Sequence, residues 1–169
     1  MRLILNRWLA VLTLVAAVAA SPAIHAFTTK DLLADGKLTP EALIRKFAKF
    51  KFKLIDGVQP RDEFLASQTG DCDDFATLAA DVLAEKGYRT HLVVVFMEQQ
   101  VHVVCYVADA KAYLDYNNRS LASPLVATNG SLTDIAGKVA KSFHSGWRCV
   151  SEYTFKNGVQ RTIKTEFSL

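Results

Sequence analysis

Cys72, His102 and Asp115 follow one another in the chain order of a nucleophile, a base and an orienting acid. A thiol attacks only as its thiolate, so a reactive cysteine needs something that favours the anion. Cys72 has one such device in its position, at the first turn of the strongest helical pattern in the chain, where the positive end of the helix dipole lies. An imidazole partner would supply a second, as a thiolate–imidazolium pair. His102 is the polar exception in a run of Val and Tyr. Alternation along a strand places His102, Val104 and Tyr106 on one face, with Val101, Val103, Cys105 and Val107 on the other. If 101–107 and 110–116 pair through an even-numbered connection, paired residue numbers sum to 217 and His102 stands directly opposite Asp115. Opposed side chains have Cβ atoms about 5 Å apart, near enough for a carboxylate to hold the imidazole tautomer as the third member of a triad does. A three-residue connection would break this pairing. Taken singly, each residue is ordinary, since a strand histidine is commonly a satisfied core residue and an aspartate after a strand a turn former. Their joint placement is not.

Several elements must position these residues. Asp71 is suited to cap the helix read over Cys72–Lys86, whose apolar stripe is Phe75, Leu78, Ala79, Val82 and Leu83 and which Gly87 stops. An earlier helix starts at Thr39-Pro40-Glu41, with a capping hydroxyl and Pro at the first position. A further helical turn is read over 62–67. His91–Met97 is a buried strand, and 117–130 is rich in turn formers. Ser131 and Asp134 have the spacing of a capping box before a last helix. Two alternating segments, Trp147–Phe155 and Val159–Phe167, are joined by Asn157-Gly158, a strong hairpin signal. Helices first and antiparallel strands after make an α+β domain, with the cysteine-bearing helix packed on the sheet.

Asp71, Asp73 and Asp74 complicate this arrangement. Three carboxylates beside a thiol disfavour its anion unless they cap the helix and point away, or are neutralised. They lack the glycine and distal glutamate of an EF-hand loop. No upstream amide is fixed by a motif as an oxyanion donor; Gln59 and Gln68 are the two available. Cys105 and Cys149 either pair or stay as free buried thiols. The three cysteines are spread singly, which argues against structural zinc.

Gly70-Asp71-Cys72-Asp73-Asp74-Phe75-Ala76 resembles the nucleophile motif of the transglutaminase-like superfamily, a papain-like cysteine fold. Gln100-Val101-His102-Val103-Val104 and Tyr113-Leu114-Asp115 resemble its His and Asp segments. The resemblance spans about residues 60–118 and leaves the C-terminal 50 unmatched. It implies a Cys–His–Asp triad and chemistry on amide bonds through a thioester. The bacterial transglutaminase-like cysteine proteinases are the most similar in character, being exported and carrying acids on both sides of the cysteine. Some members use those acids for calcium, which makes Asp71, Asp73 and Asp74 calcium candidates here. No other cofactor is implied. A bound cation would also answer the charge problem at Cys72.

The N-terminus carries Arg2 and Arg7, then an apolar run from Leu9 to Ala20, then Ser21-Pro22-Ala23 and Ile24-His25-Ala26. This is the layout of a secretory signal peptide over 1–26, leaving 27–169 as one domain without a membrane span. No cysteine precedes residue 72, so lipidation at a processed N-terminal cysteine is excluded. The 169-residue chain holds 20 basic and 17 acidic residues; without Arg2 and Arg7 the balance is close to neutral. That gives no nucleic-acid footprint. The expected protein is a periplasmic or secreted monomer: a protease or amidase acting on protein or peptide substrates. A transglutaminase-type acyltransferase, or a non-catalytic peptide-binding module of the same fold, are the alternatives.

Overall fold

In the computed structural model, residues 28–168 are described; the signal segment read over 1–26 lies outside them. Three short helices come first: α1 (Thr29–Ala34), α2 (Pro40–Lys46) and α3 (Arg61–Ser67). Two-residue strands β1 (Lys51–Phe52) and β2 (Thr69–Gly70) pair in parallel beside them. The long helix α4 (Cys72–Glu85) follows. Strands β3 (Thr90–Met97), β4 (Val101–Val107), β5 (Ala112–Leu114) and β6 (Leu125–Ala127) precede helix α5 (Leu132–Ser142). Strands β7 (Trp147–Lys156) and β8 (Val159–Phe167) close the chain. The six longer strands form one antiparallel sheet in the order β6-β5-β4-β3-β7-β8.

Alternation divides the core between the two faces of this sheet. Val103, Cys105 and Val107 of β4 join the α4 side, with Phe75, Leu78, Ala79, Val82 and Leu83. Val104 of the same strand joins the α5 side, with Ile135, Ala136 and Val139. The aromatic rings of Phe47, Phe50, Phe64 and Phe75 cluster beneath the start of α4, at centroid spacings of 4.7–5.6 Å. They brace the helix end that carries Cys72. Gly70 is required there, because a Cβ would strike the Phe64 ring at 2.7 Å and the Asp74 carboxylate as well. Asn157 and Gly158 both take positive φ, 52° and 74°, as the tight β7–β8 turn demands.

Two expectations need correction, the β4–β5 register and the α5 cap, and one open alternative, the state of Cys105 and Cys149, is resolved. The β4–β5 register sums to 219, not 217: Cys105 pairs with Leu114 and Val107 with Ala112. Residues 108–110 form a 3₁₀ turn, closed by Lys111 at φ 48°, so the third strand starts two residues later than alternation alone suggests. Cys105 and Cys149 are free thiols. Strand β3 lies between theirs, with Cys105 opposite Leu92 and Cys149 opposite Phe96. Two strand spacings are roughly 10 Å, beyond the reach of a disulfide. At α5 only half the expected box forms: Asp134 N–H donates to Ser131 Oγ at 3.2 Å, but the Asp134 carboxylate turns to Thr128 and Lys138.

Candidate active site

Cys72 occupies the first position of α4, half-buried against the α4-side core. The helix begins there because Asp71 caps it. Asp73 N–H donates to Asp71 Oδ1 at 3.3 Å, and Asp71 N–H donates back to Asp74 Oδ2 at 3.1 Å. At this end the first backbone N–H groups have no carbonyl within the helix, and the Cys72 N–H is one of them.

His102 is 4% exposed and Asp115 2%. His102 Nε2 meets Asp115 Oδ1 at 2.8 Å. The same carboxylate oxygen accepts the Asn117 N–H at 2.9 Å, capping the short turn after β5 and fixing the acid in place. Cys72 lies near enough to the ring to act on its protonation as well. With Nε2 engaged by Asp115, Nδ1 is the nitrogen left for the thiol. The three sequence-derived residues therefore stand together, although the register that suggested their pairing is off by two. The shift is even, so it preserves the face. In the observed register Asp115 continues β5 opposite Val104, which makes it a diagonal neighbour of His102, within reach of side chains of this length.

The thiol and the ring belong to different sides of the sheet. His102 shares its face with Val104, and the Phe143 ring from the end of α5 meets it edge-on with centroids 4.8 Å apart. Cys72 borders the α4 side. They meet beyond the end of β5, which pairs with β4 only from Cys105 to Val107 and leaves 101–104 as an open edge. Phe143 carries no chemical signal in the sequence and was not anticipated.

Burial disfavours the imidazolium of His102. The hydrogen bonds to Asp115 and Cys72, and the charges of those partners, outweigh it and push the group up to about 9. Cys105, fully enclosed, has its thiol pushed far up by burial and is inert by comparison.

The acids beside Cys72 divide. Asp71 Oδ2 accepts the Ile55 N–H at 3.0 Å. Asp74 accepts the Gln59 N–H and Gln59 Nε2, both at 2.7 Å. These two buried carboxylates face donors. Asp73 is the exception: its Oδ1 is buried without a hydrogen-bond partner. Burial, then the hydrogen bond and charge of Asp71 and the charge of Asp74, push Asp73 up to about 7. One ligand oxygen from each of the three acids lies within 4.8 Å of the others. An oxygen-only donor set with an unsatisfied carboxylate fits a hard divalent cation such as calcium. Gln59 is not free to donate to an oxyanion, because Nε2 is spent on Asp74 and on the Thr69 carbonyl at 3.1 Å. Gln68 ends α3 in the left-handed region, and its carbonyl accepts the Lys51 N–H at 2.9 Å.

No family model matches the chain, and no curated protein matches it by sequence. Among solved structures, calcium-bound LapG of Legionella pneumophila is similar, with a TM-score of 0.51 and 15% identity. The match covers 79% of this chain and 75% of that one. The likeness shows the fold: this chain shares the α+β architecture of that structure.

Proposed function

We propose that this protein is an exported cysteine hydrolase that cleaves amide bonds in protein or peptide substrates. The observation that carries the reading is the buried His102, held by Asp115 at 2.8 Å, with Cys72 at the start of α4 as its second interacting partner. A histidine raised to about 9 is charged at neutral pH, which favours a Cys72 thiolate beside it. The thiolate attacks the amide carbonyl carbon. The resulting oxyanion is met by the Cys72 N–H at the positive end of α4. His102 gives its proton to the departing amine and then takes one from the water that resolves the thioester. Asp115 fixes the ring so that one nitrogen always faces the thiol.

The calcium-bound neighbour and the donor set on either side of Cys72 support a calcium site at Asp71, Asp73 and Asp74. Calcium there would offset the negative charge next to the thiolate. The protein would act as a monomer in the periplasm or outside the cell. Among the described residues no helix is long and apolar enough to cross a membrane.

The test begins with the thiol. Iodoacetamide should label Cys72 at pH 6 roughly 100-fold faster than it labels free cysteine, and His102→Ala should abolish the advantage. Labelling at the rate of free cysteine in both proteins would refute the ion pair. Mass spectrometry of peptide mixtures with and without a primary amine then separates hydrolysis, which adds water, from acyl transfer, which adds the amine.

A further inference from the structure

One surface stretch, tied to the chain that leads into the candidate nucleophile, combines a run of cations with exposed apolar side chains. From Ala42 to Ile55 the chain contains no acid, but it carries Arg45, Lys46, Lys49, Lys51 and Lys53. The stretch Lys49-Phe50-Lys51-Phe52-Lys53-Leu54 alternates cation and apolar residue. Phe50 turns into the core, whereas Phe52 is 56% and Leu54 77% exposed. Arg45 pairs with Glu41 and Lys46 with Asp35. Among the described residues Lys49, Lys51 and Lys53 have no ion-pair partner, and all three are exposed.

This stretch is tied to the chain that leads into Cys72. Lys51 N–H donates to the Gln68 carbonyl and Lys53 N–H to the Gly70 carbonyl, both at 2.9 Å, and Ile55 N–H donates to Asp71 Oδ2. It therefore runs one strand spacing from residues 68–71. Successive N–H groups in a strand point to opposite edges. Those of Lys51 and Lys53 face β2, and those of Phe52 and Leu54 face away from it. Natural proteins seldom leave an exposed strand edge with apolar side chains, because it invites another chain to pair.

We propose that residues 51–55 are a docking strand for the substrate, and that the substrate is an extended, acidic polypeptide segment carrying apolar side chains. The open edge gives main-chain pairing, Phe52 and Leu54 give apolar contact, and Lys49, Lys51 and Lys53 select negative charge. The assignment rests on the cysteine-hydrolase reading, which supplies the reason for a peptide docked on this outer edge, two strand spacings from residues 68–71, to continue across to Cys72.

The experiment uses a fluorescein-labelled peptide of alternating glutamate and leucine, its lysine–leucine counterpart, and the full domain bearing Cys72→Ala to prevent turnover. Anisotropy should show the acidic peptide binding at least tenfold more tightly than the basic one, with the preference shrinking as salt rises. Lys53→Glu and Phe52→Ser should each weaken it at least fivefold. Lys37→Glu serves as the charge control; its neighbours Gly36 and Leu38 line a cavity with Lys86 and Gly87, past the far end of α4. It should leave binding unchanged. With Cys72 present, the acidic peptide should also slow iodoacetamide labelling of that thiol. Equal binding of the two peptides, a Lys53→Glu loss no larger than that of Lys37→Glu, or binding that leaves Cys72 unprotected would overturn the proposal. Normal thiol activation without charge-selective, protective binding sinks the docking strand alone. Charge-selective binding beside a thiol no more reactive than free cysteine sinks the hydrolase reading alone.

Discussion

Two histidine–carboxylate pairs lie in the same sheet. His91 Nδ1 meets Glu152 Oε1 at 2.7 Å, across from β3 to β7. His102 Nε2 meets Asp115 Oδ1 at 2.8 Å. Bond length does not distinguish them. Surroundings do: the side chains of the first pair are 37% and 21% exposed, those of the second 5% and 3%. The first pair sits at a small surface cleft with Lys164 and Glu166 nearby. The second is sealed under Phe143 and has Cys72 as a third partner. Solvent screens the first pair and makes it replaceable. Enclosure makes the second pair's charge strong and its loss costly.

Breaking the comparison begins at the thiol. Cys72→Ala should lower peptide cleavage on the order of 10⁶-fold, because the other two residues have nothing to activate; mass spectrometry of the products reads this. Asp115→Asn should lower kcat by about 10⁴-fold through the wrong histidine tautomer, whereas Glu152→Gln should change it less than about twofold. Comparable losses from the two substitutions would mean that burial is not what separates the pairs.

Stability should follow the same order. Asp115→Ala leaves a buried imidazole unpaired and should cost about 3–5 kcal/mol in urea unfolding. Glu152→Ala should cost about 0–1 kcal/mol.

The smallest effect is a pH dependence that calcium modifies. Asp73 is raised from 3.8 to about 7, so its folded form holds a proton more tightly than the unfolded chain does. That stabilisation is present at low pH and is lost as pH rises from about 4 through 7. His102, raised from 6.5 to about 9, contributes in full below 6.5 and loses its contribution as pH rises through 9. Without calcium, the melting temperature should therefore fall between pH 5 and pH 8. Added calcium should raise it more at pH 8, where Asp73 is ionised, than at pH 5. Melts with calcium or chelator at the two pH values check this, and an equal or absent chelator effect at both would remove the calcium site.

Local chemistry made some features readable without a structure. The start of α4 lies in Asp71, whose side chain and backbone close a cap within three residues. Its end lies in Lys86-Gly87, and β4 lies in its run of β-branched residues. The face shared by His102 and Asp115 was also legible, because a strand repeats every two residues and any even loop preserves the face. Other features depended on contacts distant in sequence. The register followed the 3₁₀ turn at 108–110 and the left-handed Lys111, a residue with no intrinsic preference for that conformation. Asp71, Asp73 and Asp74 read as one acidic cluster. Only the approach of Ile55 and Gln59 separated two satisfied carboxylates from the one that is not. Phe143 reaches His102 only because α5 packs across the far face of the sheet. Sequence by itself thus determined which residues are candidates for the chemistry and that His102 and Asp115 share a face, since caps and alternation act over a few residues. Tertiary structure alone decided which charges are sealed from water and which partners they meet, since burial is a property of the whole fold.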